Sequence, residues 1–276
     1  MKRIYVLFLL LLPMVVWSQQ RKPKIKGNRK VTRVTERLPA FHSILLKDDL
    51  DVNVVASKSP SYNLVADDNL VDVITLKVVD SVLEIRSFYK ITSRKELEIT
   101  INYERLKSIE VQNGSISTDN ILNTGRLRLS ASGNANLNVS GKAGAIDVDL
   151  KNTSQSDLNL DTERLSIEMG DRSDARVYTT CEDLNVNLVQ NAVLTMEGEA
   201  RTAVITQSLQ SKYKGEAAPI TRLQLNCSGS AQARIHVTEV AGIKAKGASK
   251  VFLFGNPSID LQEFMDTAQL SKKPLE

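Results

Sequence analysis

Gly247-Ala248-Ser249-Lys250 carries the small residues and the lysine of a phosphate-cradling loop. Such a loop needs Gly-x-x-x-x-Gly-Lys-Ser/Thr between a strand and a helix. Here one glycine precedes the alternating run Val251 to Phe254, and Gly255-Asn256-Pro257 stops it, so the stretch reads as a turn feeding a strand. Metal binding wants His, Cys or acids clustered at ligand spacing. His42 and His236 stand apart, and His236 alternates with Ile235 and Val237, which directs it to solvent. Asp48-Asp49 and Asp67-Asp68 could offer oxygens to a hard cation. Neither pair lies in a calcium-loop pattern, and both read as solvated turns. No metal or cofactor site is expected.

Carbohydrate chemistry is the other candidate. Polysaccharide lyases and hydrolases need acids, or a cation with acids, converging on one face. Asp147, Asp149, Glu168, Asp171, Asp174 and Arg176 are available outward residues. Alternation puts polar residues outward on any half-buried strand, however, and these are what a solvated sheet face contains. Aromatics make up only 5% of the chain, which leaves Tyr89, Tyr178, Tyr213, Phe252 and Phe254 as sugar-stacking platforms. Phe252 and Phe254 face away from Val251 and Leu253, and are expected either to pack under the C-terminal tail or to meet a partner.

The elements that must position these residues repeat. From about Leu106 the chain cycles through alternating apolar residues, a small polar turn, more alternation and another turn. Ile146, Val148 and Leu150 alternate before the turn "KNTSQS", and Ser156, Leu158 and Leu160 after it; "LQLNCSGSAQARIHV" is another copy. Marking the turns at Gly114, Gly133, Ser154, Ser173, Gln190, Leu209, Gly229 and Gly247 gives a mean step of 19 residues. Period-two alternation means strands with one buried face. A two-strand unit repeated many times cannot bury that face alone, so the copies must stack into a β-solenoid. A β-sandwich would alternate too, but has no reason to repeat whole 19-residue units. Ten or so rungs at about 4.8 Å each predict a rod about 50 Å long.

The period also bears on Cys181 and Cys227. They are 46 residues apart and occupy different phases of the repeat. Rungs more than two steps apart lie about 10 Å or more from each other, beyond the span of about 4.4–6.8 Å that a disulfide allows between Cα atoms. Two free thiols are expected, with Cys227 in the core.

At the N-terminus, Met-Lys-Arg, an apolar run and "SQQ" form the pattern of a secretory signal peptide over residues 1–20. No cysteine lies near the cleavage region, so a lipoprotein is not expected. Residues 21–33 carry seven Lys or Arg and no acid. Of the formal +4, two charges belong to Lys2 and Arg3 and seven to this stretch, which leaves the remainder at −5. The reading is a mildly acidic body behind a basic linker that could touch an anionic envelope surface. An acidic body with few aromatics argues against nucleic acid.

"LPAFHSILLKDDLDVNVV", "NLVDVITLKVVDSVLEI" and the closing "GASKVFLFGNP" resemble the GIN domain, the head domain assigned to autotransporter adhesins in exported proteins of Bacteroidetes-type bacteria. The small-residue turn of that family recurs in "SASGNA", "CSGSAQ" and "GASK", whereas the middle turns read "KNTSQS", "GDRSDA" and "LVQNAV". The resemblance covers about Val34 to Pro257 and implies a right-handed parallel β-helix, in agreement with the repeat. It supplies no catalytic residues. The expectation is therefore an all-β solenoid over 34–257, with a tail or cap of helical composition over 258–276. The implied function is a non-enzymatic binding or structural module of the cell envelope, periplasmic or on the surface. Its partner would be a glycan, a lipid or a protein, and the alternative is a β-helix polysaccharide-degrading enzyme.

Overall fold

A computed structural model describes residues 22–274, so the expected signal peptide lies outside the described residues. The N-terminal part contains β1 (Lys24–Lys26), β2 (Val31–Arg37), β3 (Ser43–Leu46), β4 (Asp51–Ala56) and β5 (Ser61–Asp67). The one-turn helix α1 (Asp68–Val71) follows, then β6 (Ile74–Val79), β7 (Val82–Ser87), β8 (Lys90–Ser93) and β9 (Leu97–Tyr103). Short strands β10 (Ser108–Val111) and β11 (Ser115–Thr118) lead into β12 (Leu122–Ala131). Long strands fill the middle: β13 (Asn136–Leu150), β14 (Gln155–Met169), β15 (Asp174–Leu188), β16 (Val193–Gln207), β17 (Lys212–Cys227) and β18 (Gln232–Ala245). β19 (Lys250–Phe254), β20 (Ser258–Phe264) and β21 (Gln269–Lys272) complete the stack.

From β12 to β18 each strand pairs in parallel with the next, one repeat further on, and the whole is a parallel β-solenoid of about nine turns. In-register stacking turns each position of the repeat into a column. Ile44, Ile109, Leu129, Val148, Ile167, Val186, Ile205, Leu225 and Ile243 form one such column and are at most 2% exposed. Burying each is worth about 1.5–3 kcal/mol, but only because the rungs above and below supply the other walls.

Each turn of the solenoid has two corners. The first is a tight turn with one left-handed residue, and from Gly133 on these residues form a ladder: Gly133, Asn152, Asp171, Gln190, Leu209, Gly229, Gly247 and Asp266; Gly114 is left-handed too but lies opposite Ala135. Successive members are 19 residues apart, except for steps of 20 and 18 on either side of Gly229. Two corners therefore sit at Asn152 and Asp171 rather than at Ser154 and Ser173. Those serines are the fully buried residues two positions later, in the column that Ala192 and Ala231 also occupy. The middle turns that depart from the small-residue pattern do so for a reason. Asn152 Oδ1 accepts from the Gly133 N–H at 3.0 Å, Asp171 Oδ2 from Asn152 N–H at 2.8 Å, and Gln190 Oε1 from Asp171 N–H at 2.6 Å. Side-chain oxygens thus cap the corner of the preceding rung. At Gly247 the reason is steric: a Cβ would lie 2.7 Å from the Gly229 carbonyl oxygen.

The second corner is softer and breaks the alternation. Two successive outward residues, such as Glu163-Arg164 or Glu182-Asp183, divide each long strand. We call the outward surface before the break face A and the one after it face B.

Both ends of the chain differ from expectation. Residues 21–33, read as a linker, include β1, paired in parallel with β8, and the start of β2, paired antiparallel with β5. Lys24, Lys26 and Arg33 are outward residues of these edge strands, where charge opposes further pairing. Asp67, expected in a solvated turn, is inaccessible to solvent and binds this segment in place. Its carboxylate accepts from the backbone N–H groups of Arg29 at 3.1 Å, Lys95 at 3.1 Å and Glu96 at 3.4 Å. Gly27 passes so close that a Cβ would fall 1.9 Å from Asp67 Oδ2. At the other end, residues 258–264 and 269–272 are strands rather than helix: β20 stacks on β18 and β21 on β19. A register shift beside Gln262 spaces Ile259, Leu261 and Phe264 unevenly, which is why the sequence there imitates a helical period.

Leu209 is the misfit of the corner ladder, left-handed at φ 61° and 50% exposed, with no oxygen to offer the rung before it. Asparagine tolerates this conformation, which costs other residues about 1–2 kcal/mol. Leu209→Asn should stabilise the protein by about 1 kcal/mol and raise Tm by about 2–4 °C in thermal unfolding. Burial works against the charge of Asp67, but the three backbone donors outweigh it and hold its carboxyl below the usual range. That stability is present above the unfolded pKa of about 3.9 and is lost as the pH falls through the lower folded value. Asp67→Ala should expose residues 24–37 to limited proteolysis at neutral pH and flatten the loss of stability below about pH 4.

Candidate functional site

A long concavity follows the second corner, where the break in alternation leaves a trough along the rod. It has a volume of about 870 Å³ and reaches from Asn123 to Thr238, across successive rungs. Its floor is a column of small residues, Thr124, Ala143, Thr162, Cys181 and Ala200, stacked in register. Its walls are charged. Lys142 binds Asp161 at 2.5 Å, and Arg201 binds Glu182 and lies 4.0 Å from Asp183, in each case across one rung step. The Glu182 hydrogen bond and charge raise the pKa of the Arg201 guanidinium. Glu163 and Glu199 line the trough without an ion pair among the described residues.

These acids were not among the sequence candidates, although a signal for them exists. Thr162-Glu163-Arg164, Cys181-Glu182-Asp183 and Ala200-Arg201-Thr202 each place a small inward residue before two outward ones. The candidates chosen from the sequence converge only in part. Asp147, Asp149 and Glu168 lie together on face B, where with Arg128 they line a concavity of about 200 Å³; Asp147 pairs there with Arg126 at 2.9 Å and Asp149 with Lys151 at 2.8 Å. Asp171 belongs to the first corner, and Asp174 and Arg176 to face A. Among the described residues, no three His, Cys, Asp or Glu side chains gather as a metal site.

The aromatic platforms also divide. Tyr178 is 52% exposed on face A. Tyr213 is not a platform at all: it is fully buried in the lumen, its ring lying against Gly215, and burial pushes its phenol above the ordinary range. Phe88, 68% exposed beside Tyr89, went unnoticed in the sequence. Phe252 and Phe254 both point away from the lumen, yet they differ in access. Phe252 is half-buried, whereas Phe254 is 5% exposed beneath Arg234. The Arg234 guanidinium carbon lies 5.9 Å from the Phe252 ring centre and 5.2 Å from that of Phe254. Lys273 Nζ lies 5.8 Å from Phe252. These are cation–π distances, and the tail borders the aromatic pair without covering it.

A stack of short, polar-faced rungs with charged residues at fixed intervals defines a solenoid of surfaces, with a trough in place of a closed pocket. The chain belongs to the family described as "Putative auto-transporter adhesin, head GIN domain", which it matches over residues 40–161 and 150–257. It is similar to the crystal structure of a putative adhesin from Parabacteroides merdae, at 16% identity and a TM-score of 0.69, covering 91% of this chain and 99% of the other. A putative adhesin from Parabacteroides distasonis matches at 14% identity and a TM-score of 0.67, covering 90% and 99%. A protein from the same species described as a putative lipid binding protein matches at 15% identity and 0.58, covering 90% and 96%. A search of curated proteins finds no match. At these identities the likeness establishes a shared fold.

Cys181 and Cys227 are free and buried, at 6% and 3% exposure. Desolvation pushes each thiol up to about 11. Neither should react with a disulfide reagent in the native protein near pH 8, and both should react after denaturation. Because unfolded thiols ionise near pH 8.5, stability should fall as the pH rises from there towards 11, as read from urea midpoints.

Proposed function

We propose that the chain is an exported binding module of the cell envelope that holds its partner without chemically changing it. The observation that carries this reading is how the charges of the trough are spent. Lys142 is joined to Asp161 and Arg201 to Glu182, each across one rung. A general acid and base would instead be held facing a common substrate position. The family description and the adhesin relatives agree with surface attachment. The signal-peptide pattern of residues 1–20 supports export. An envelope glycan is the partner favoured here, because polar side chains repeat along both faces, while the exposed apolar residues Ile259, Leu261, Phe264 and Met265 gather at the last rung.

Glu163 and Glu199 support a second reading, a polysaccharide-degrading enzyme, since they are trough acids outside any ion pair. The two readings separate in one experiment. Immobilised envelope and dietary glycans are incubated with the protein and scored for retention and for released fragments. Retention without fragments is expected. Fragment release that is abolished in Glu163→Gln or Glu199→Gln would establish the enzyme and end the binding-module reading.

A further inference from the structure

Rung-to-rung pairing of charge is the habit of this molecule. Arg126–Asp147, Lys142–Asp161, Arg176–Glu197 and Arg201–Glu182 all join residues one turn apart. Face A abandons that habit at its last rungs. There the outward residues of β17, β18, β19 and β21 stack in register. One column runs Lys212, Gln232, Lys250, Gln269, and the next runs Lys214, Arg234, Phe252, Ser271. Lys273 stands beside them, over the Phe252 ring. Of the five cations only Arg234 has an acidic partner, Glu216 at 2.8 Å. Lys212, Lys214, Lys250 and Lys273 are exposed and take part in no ion pair among the described residues. The acids of the neighbouring rung, Asp260 and Glu263, stack on Gly242 and Lys244 of face B.

Like charges brought together across strands destabilise a sheet. A surface that keeps three lysines without ion pairs in two adjacent columns, and a fourth beside them, is therefore suited to an external anion. With rungs about 4.8 Å apart and alternate residues about 6.7 Å apart, the patch is about 14 Å on a side. It is flat, and its aromatic centre is flush: Phe252 is half-buried and Phe254 closed over. A bilayer would be met by protruding apolar side chains that enter the acyl boundary, and this surface has none at its centre. Its regular rows instead match negative groups recurring along an extended chain, with Gln232, Gln269 and Ser271 between the cations to hydrogen-bond hydroxyls.

We propose that the face formed by Lys212, Lys214, Arg234, Lys250, Phe252 and Lys273 is a docking surface for an acidic polysaccharide, one bearing carboxylate groups along its chain. This inference rests on the binding-module reading and names the partner's chemistry and its place on the rod. The contact is electrostatic, screened by salt, and the ring of Phe252 meets the apolar face of a sugar.

Alginate, uncharged dextran, phosphatidylglycerol vesicles and duplex DNA serve as probes for three proteins compared at near-physiological ionic strength. These are the unaltered chain, a variant carrying Lys212→Ser, Lys214→Ser and Lys250→Ser, and a control carrying Arg105→Ser, Arg128→Ser and Arg172→Ser. The control removes the same charge far from this face, and circular dichroism verifies that all three fold. Alginate should bind the unaltered chain and the control, dextran neither, and the lysine variant should lose at least about tenfold in affinity, as expected when steering charges are removed. Phe252→Trp places a lone tryptophan within residues 22–274, since Trp17 is the only other, and its emission should shift when alginate docks. Equal losses in the lysine and arginine variants, no loss in either, or tighter binding to vesicles or DNA than to alginate would overturn the proposal. Retention of other envelope glycans with indifference to alginate overturns this site and leaves the binding module standing. Release of glycan fragments removes the module reading itself.

Discussion

Parallel strands stacked in register at about 4.8 Å force every side chain to lie against its counterpart in the next turn. Each position of the 19-residue repeat must therefore be compatible with itself, over and over, and the rest of the molecule follows from that requirement. Aliphatic residues satisfy it by packing, as in the column from Ile44 to Ile243. Serine and alanine satisfy it at the first corner, where Ser154, Ser173, Ala192, Ser211 and Ala231 are fully buried inside the bend. Charged residues repel when repeated, and several are joined to an opposite charge one turn away, as Lys142 is to Asp161 and Arg201 to Glu182. Lys212, Lys214 and Lys250 of face A have no such partner among the described residues.

The same requirement explains how much could be read from the sequence. Columns leave a periodic trace, so the solenoid, its repeat length, the two free thiols and the burial of Cys227 were legible in advance, whereas the burial of Cys181 was not. Corner positions were legible to within two residues. Ser154 and Ser173 attracted attention as turn formers, but Asn152 and Asp171 bend the chain and the serines fill the inside of the bend. Asn, Asp and Gln at this corner looked like drift from a small-residue pattern, whereas their oxygens cap the rung before.

What escaped the sequence was whatever depends on contacts between distant segments. The basic stretch ahead of Val34 has the composition of a linker, and only its pairing with β5 and β8 and its bond to Asp67 make it part of the folded N-terminal end. The shift beside Gln262 disguises a strand as a helix. The trough was invisible because its acids, Asp161, Glu163, Glu182 and Glu199, lie up to 38 positions apart in the chain and adjoin only when the turns close. Phe252 and Phe254 both face away from the lumen as expected, but their access differs, Phe252 being half-buried and Phe254 buried, with Arg234 from a turn earlier near both rings.

The corner ladder has a further consequence, for length. Steps of 20 and 18 residues adjoin at Gly229, so a one-residue excess in one turn is cancelled in the next and the columns re-form. A solenoid that absorbs such an error locally can also gain or lose a complete turn with its two ends unaltered. Each added copy would move the antiparallel cap and the lysine-bearing rungs apart by about 4.8 Å. The span between these two ends is thus adjustable in fixed increments, like the marks on a ruler, without redesign of either.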